Sequence, residues 1–325
     1  MILACLILYN ATDILVHDYL LGILVEYVNL AQIQSQLYSI ARSCRGSRIY
    51  TSGAVCFVYI EVQINFSTKH LVYTDGCVNY ALRRCCQISL VIMQILRTDT
   101  QGNGLAVVCD VVDKDSVINA KKVVNDTFGK VDILVNGAGG NHPKGTTTKE
   151  YFEKGDIENP NVVSFFDLSK ENFNYVFDLN IVGTLIPTQV FIVDMLDNPG
   201  ANVLNIASMS SYHAITKVSA YCAAKAAISN FTEWLAVHFA KSGIRVNALA
   251  PGWFETVQNK TLLRNPDGSL SERSKKVLAH TPMGRFGVPE DLTGTLLWLT
   301  DSAQSGFVTG ATIPVDGGFQ AYFGV

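Results

Sequence analysis

The feature that most restricts the fold is an alternation that begins at Gly104. Leu105–Cys109 is a short apolar run, and Asp113 to Phe128 reads as an amphipathic helix with Val117, Ala120, Val123, Val124 and Phe128 on one stripe. Val131–Asn136 is apolar again, and the pattern returns in Val203–Ile206, in a helical stretch from Ser219 to Ala236, and in Gly243–Ala250. Short runs of this kind suit strands buried on both faces, and the helices between them suit the crossovers of a parallel sheet. The expectation is a single α/β domain built on a doubly wound, mainly parallel sheet, with ligands beyond the carboxyl ends of its strands.

Chemistry gathers in one stretch, NIASMSSYHAITKVSAYCAAK, from Asn205 to Lys225. It reads as a strand end, a polar turn and the start of a helix. Tyr221 and Lys225 are four apart and project from one helix face. Ser208 lies at the strand's carboxyl end. A phenol ionises near about 10, and a neighbouring ammonium favours the phenolate and lowers that value. The pair can then act as a general acid or base, while a serine hydroxyl holds a substrate oxygen. A Tyr and a Lys at this spacing also occur on helices with no catalytic role.

Further candidates flank this stretch. Asn136-Gly137-Ala138-Gly139-Gly140 places small residues at a strand end, where a ligand can pass close over the backbone; a plain glycine turn is the competing reading. Ser169 to Pro187 reads as a helix with Ser169 as its N-cap, Asn172 at N3 and Asn180 inside it. Residues 141–172 form a long connection in which His142 or Lys144 could meet a substrate carboxylate, or which could be a solvated surface loop. Val257 to Pro282 reads as a substrate-covering insert.

A net charge of −3 offers no basic patch for nucleic acid or an anionic membrane. Six of the eight cysteines precede residue 98, and none forms a Cys-x-x-Cys ligand set. A reducing, cytoplasmic setting follows, with no disulfide framework. No His/Cys/carboxylate cluster has metal-ligand spacing, and Gly-x-Ser-x-Gly is missing. The first 97 residues differ in composition from the rest. Their apolar opening is interrupted by Asp13, His17, Asp18 and Glu26, falls short of a membrane span, and lacks a basic start, the first Lys or Arg being Arg42. Residues 1–97 read as a divergent domain, a disordered segment, or a translation of the wrong frame or exon. The abrupt composition change favours the last.

Taken together, Leu134–Gly139, Asn180, Ser208, Tyr221-Cys222-Ala223-Ala224-Lys225, and Pro251-Gly252 after Arg245-Val246-Asn247 resemble the short-chain dehydrogenase/reductase family in that family's order, over about residues 98–325. Gly137 stands where the family more often has a second asparagine. The resemblance implies a Rossmann-like fold, NAD or NADP as cofactor, a small-molecule substrate, and a homodimer or homotetramer with the last strand at an interface. It implies that Tyr221 is the acid/base, that Lys225 tunes it and anchors ribose, that Ser208 holds the substrate oxygen, and that Asn180 supports a water relay. Asp110 would lie near adenine, Asn136, Gly137, Ala138 and Gly139 under the cofactor's sugar, and Pro251, Gly252 and Thr256 at the nicotinamide. The stretches Gly139–Lys144, Pro251–Phe254, Gln258-Asn259 and Gly317–Tyr322 are similar to the D-mannonate oxidoreductase (fructuronate reductase) branch. That implies a sugar-acid substrate met by Ser208, His142, Lys144 and Trp253. The alternatives are another sugar, polyol or 3-oxoacyl reductase, or a non-catalytic homologue unable to bind nucleotide. The last arises because the family's Gly-x-x-x-Gly-x-Gly turn is missing: after Arg48–Ala54, which contains Gly53, the next glycine is Gly76. The residue that chooses between NAD and NADP falls in the same segment.

Overall fold

Residues 3–8, 55–58, 104–256 and 259–324 are described by the computed structural model. Seven strands form one sheet: β1 (Leu3–Leu8), β2 (Val55–Val58), β3 (Gly104–Cys109), β4 (Ile133–Asn136), β5 (Asn202–Ile206), β6 (Arg245–Pro251) and β7 (Thr312–Val315), in the order β3-β1-β2-β4-β5-β6-β7. From β2 to β7 every pairing is parallel. The strand β1 runs antiparallel to both of its neighbours. Leu105–Cys109 therefore points the same way as the parallel strands but is paired to a reversed one, which corrects the expectation of a parallel ladder there. Apolar content shows that a strand is buried; the direction of its neighbour sets the ladder.

Alternate residues of the central strands feed two cores. Leu134, Val203 and Val246 pack with Val117, Ala120 and Val124 of helix α1 (Lys114–Phe128) and with Phe191 and Met195. Val135, Leu204 and Leu249 pack on the opposite face with Leu296 and Leu299. This period of two, with helices on both faces, is the doubly wound arrangement. Asp113 caps α1 by accepting from the amides of Asp115 and Ser116.

Ser169 caps α2 (Lys170–Phe177) as expected, accepting from the Asn172 amide at 3.2 Å. The helical run does not stop at Pro187, however. It passes through a π turn at Asp178–Val182 and continues as α3 (Gly183–Met195) with Pro187 inside. On either side of the proline, the hydroxyls of Thr184 and Thr188 donate to the carbonyls of Asn180 and Thr184 at 2.8 and 2.7 Å. The run Lys170–Met195 is apolar and long enough by composition to cross a membrane, but 56% of its most apolar window is buried inside the fold.

The remaining helices are α4 (Ser219–Phe239), α5 (Lys260–Leu263), α6 (Glu272–Ala279), α7 (Glu290–Thr300) and α8 (Ser302–Ser305). The expected helix at Pro289–Leu299 is α7, with Pro289 at its N-cap. The Arg48–Ala54 turn, the 97/98 boundary and Gln258 lie outside the described residues.

A buried polar chain ties the sheet to α4. The Asn136 Nδ2 donates to Thr188 Oγ1 and to Asn205 Oδ1, and Asn205 Nδ2 donates to Thr232 Oγ1, each at 2.9 Å. Replacing Asn205 with Ala strips two buried groups of a partner. Asn205→Ala should lower stability by about 2–3 kcal/mol, read as a shifted denaturation midpoint at unchanged slope.

Candidate active site

The carboxyl ends of β4, β5 and β6 open onto one edge of the sheet, and the π turn faces them through Asn180. Asn180 is wholly buried. Its Nδ2 donates to the carbonyls of Gly140 and Val176 at 2.8 and 2.7 Å, and its Oδ1 accepts from the Gly140 amide at 3.1 Å. An asparagine is a poor residue for a helix interior. Here the widened turn and the loop after β4 use both ends of its amide.

Lys225 is buried as well, and its Nζ donates to the carbonyl of Ile206, the last residue of β5, at 2.8 Å. The same ammonium lies 5.8 Å from the ring centroid of Tyr221, one helical turn away. Gly139 completes the group. A Cβ built on it would come within 2.7 Å of Asn180 Oδ1 and 2.8 Å of Lys225 Nζ, so only glycine leaves room for both polar groups. Tyr221 is half-buried, packed with Phe173, Phe177 and Ile181 against Val176, Ala220 and Ala224. Ser208 opens the short turn Met209–Ser211, accepting from the Ser210 amide at 3.2 Å. Ser211 Oγ donates to the Lys225 carbonyl at 2.7 Å, which fastens that turn to α4. One edge thus gathers Gly139, Asn180, Tyr221 and Lys225, with Ser208 on the adjoining turn.

The other predicted positions follow the same edge. Asp110 closes β3, its carboxylate accepting from the Val112 amide at 3.1 Å. Gly252 follows β6 so close to Asp316 that a Cβ would lie 2.5 Å from the Asp316 Cβ. Thr256 is locked to Asn259 by two bonds, its amide donating to Asn259 Oδ1 at 2.8 Å and its Oγ1 accepting from the Asn259 amide at 3.3 Å. A nicotinamide dinucleotide fits this edge on two counts: the buried Asn136 Oδ1 is an acceptor without a partner, and Gly137, Ala138 and Gly139 themselves carry no side chain larger than a methyl group.

Among the proposed substrate contacts, the His142 ring accepts from the Lys144 amide at 3.3 Å and packs 4.7 Å from the Tyr175 ring of α2. Lys144 is exposed. Trp253 is partly buried, with the Arg273 guanidinium 5.3 Å from its ring. The long loop is fastened to the fold: the Thr147 amide donates to the Lys217 carbonyl at 3.0 Å, just before α4. The loop also meets the insert through Glu150 and Lys276 at 2.8 Å. That ammonium holds the Glu150 carboxyl below its ordinary range. A second pair, Glu255 and Arg264, is bidentate at 2.8 and 2.7 Å and ties the insert to the turn after β6; it likewise lowers the Glu255 carboxyl. Sequence reasoning missed Arg273 and the Glu150–Lys276 link, since no local spacing joins residues 126 apart.

A family model described as enoyl-(acyl carrier protein) reductase matches residues 92–320. The chain belongs to the short-chain dehydrogenase/reductase family. It is 50% identical to an uncharacterized oxidoreductase of Haemophilus influenzae over 264 residues, 81% of this chain and 91% of that one. It is 37% identical to a 2-dehydro-3-deoxy-D-gluconate 5-dehydrogenase of Dickeya dadantii over 195 residues, 60% of this chain and 67% of that one. A crystal structure, with bound NAD, of a provisionally assigned D-mannonate oxidoreductase from Haemophilus aligns with a TM-score of 0.69 at 46% identity, covering 73% of this chain and 85% of that one. The resemblance read from the motifs is borne out, and the chain is an NAD(P)-dependent oxidoreductase with a Rossmann-like fold.

In this dehydrogenase the contact of Gly139 with Asn180 and Lys225 is open to a one-atom test. Gly139→Ala should displace one of the two polar groups and lower kcat about 100-fold, the order of loss expected for a misplacement near 1 Å. The check is steady-state kinetics beside a denaturation curve showing the variant folded.

Proposed function

We propose that the enzyme interconverts a secondary alcohol and a ketone on a sugar acid of the D-mannonate/D-fructuronate type. The observation that carries the catalytic part is the convergence of Asn180, Gly139 and the buried Lys225 ammonium beside Tyr221. The sugar-acid part is supported by the similarity to the Haemophilus and Dickeya proteins.

In this reading Tyr221 gives a proton to the substrate oxygen during reduction and takes it back during oxidation. Lys225 favours the phenolate and bonds the cofactor's ribose. Ser208 holds the substrate oxygen, and Asn180 positions a water between Lys225 and the surface. Asp110, the Asn136–Gly139 stretch, Pro251, Gly252 and Thr256 hold the dinucleotide. The bound nicotinamide supplies or accepts the hydride, and the protein's part is orientation and proton handling. The exposed Trp234 and Val237 on α4 give an apolar surface suited to a homodimer or homotetramer.

The test is a comparison of kcat/KM for D-fructuronate and for the neutral ketose D-fructose, with NADH or NADPH. The acid should be favoured more than about tenfold, the discrimination worth roughly 1.4 kcal/mol. Equal rates on the two ketoses would remove the sugar-acid assignment.

A further inference from the structure

Two buried donors in this part of the molecule have no acceptor: the indole Nε1 of Trp253 and the Nε of Arg273. They belong to side chains in contact, since the Arg273 guanidinium lies 5.3 Å from the Trp253 ring centroid. Stacking of this kind orients the guanidinium and leaves its N–H fork free for another partner. Trp253 comes directly after the Pro251–Gly252 turn, and Arg273 sits in the first turn of α6, in the insert over the site.

The carboxylate whose charge acts on Arg273 is that of Glu150, in the long loop, and the Cys222 thiol, next to Tyr221 in α4, lies within electrostatic reach of the guanidinium. Neither bonds it. The Glu150 carboxylate is taken by Lys276 at 2.8 Å, and burial pushes the Cys222 thiol up, which keeps it neutral. Arg273 thus sits against the Trp253 turn with the long loop and α4 within electrostatic reach, and burial lowers its own pKa from the arginine range. A buried donor left without an acceptor costs more than an ordinary hydrogen bond returns. Two such donors on touching side chains call for a ligand that brings acceptors. A carboxylate, with two coplanar oxygens, matches a guanidinium fork.

We propose that Arg273, stacked on Trp253, binds the carboxylate of the substrate, with the Trp253 indole N–H donating to a substrate oxygen beside it. This rests on the sugar-acid reading above and assigns its specificity to a residue of the insert, in place of His142 and Lys144.

The test is calorimetric titration of the NADH-loaded protein, in which neither ligand can be oxidised, with D-mannonate and with the neutral polyol D-mannitol. It is run on the parent, Arg273→Gln and Arg273→Lys, with the kcat/KM ratio for D-fructuronate over D-fructose measured alongside. Arg273→Gln should weaken D-mannonate binding about 10- to 100-fold, the worth of hydrogen bonds to a charged group, and bring the acid-to-neutral ratio towards one. Arg273→Lys keeps the charge and loses the fork, so it should fall between the two; it also reads the ratio if Arg273→Gln does not fold. A purely structural role would weaken both ligands alike and leave the ratio at the parent value, and that result overturns the proposal. A parent that itself shows no preference for the acid overturns the sugar-acid reading and this inference with it. A parent that prefers the acid while both variants keep that preference overturns only the role of Arg273.

Discussion

A buried ammonium is the constraint on which the rest of the site depends. Lys225 is only 4% exposed, and a charge so placed is costly unless polar groups surround it. The carbonyl that ends β5 accepts from it, the Tyr221 ring lies beside it, and Gly139 withholds the one carbon that would crowd it. Each of these neighbours comes from a different part of the chain. The parallel sheet brings the ends of β4 and β5 side by side, α4 returns across them, and the π turn presents Asn180. The sheet's own polar chain from Asn136 through Asn205 to Thr232 keeps α4 in register with those strand ends.

The long loop and the insert are held in another way. The long loop and the insert are joined by Glu150–Lys276, and the insert is joined to the turn after β6 by Glu255–Arg264. Ion pairs as exposed as the first are weak and screened by salt, whereas the centre below is held by buried hydrogen bonds. The division suits an oxidoreductase that must admit a polar substrate and then exclude water from the reacting oxygen.

Much of this was legible in the chain, for physical reasons that differ by element. The β4, β5 and β6 runs are apolar because both faces of the sheet are covered, and Ser169 announces its helix by capping it. Tyr221 and Lys225 could be paired because helical spacing is local. What was not legible depended on partners far along the chain. Pro187 reads as a helix end because proline gives up an i→i−4 bond, yet α3 runs past it with most of its residues buried in the fold. The reversed pairing of β3 is set by residues 3–8, whose apolar run would serve either ladder. Lys144 is exposed, and nothing in the local sequence pointed to Arg273, more than a hundred residues later, whose contact with Trp253 appears only in the fold.

The account's central claim is that the phenol of Tyr221 exchanges the proton with the substrate oxygen. The most direct measurement is the single-turnover rate of Tyr221→Phe, in protein shown by fluorescence quenching to hold NADH as the parent does. The loss of one positioned acid/base group is expected to slow the chemical step by about 10²- to 10⁴-fold. A variant that binds NADH and reduces its ketone at the parent's rate would contradict the account.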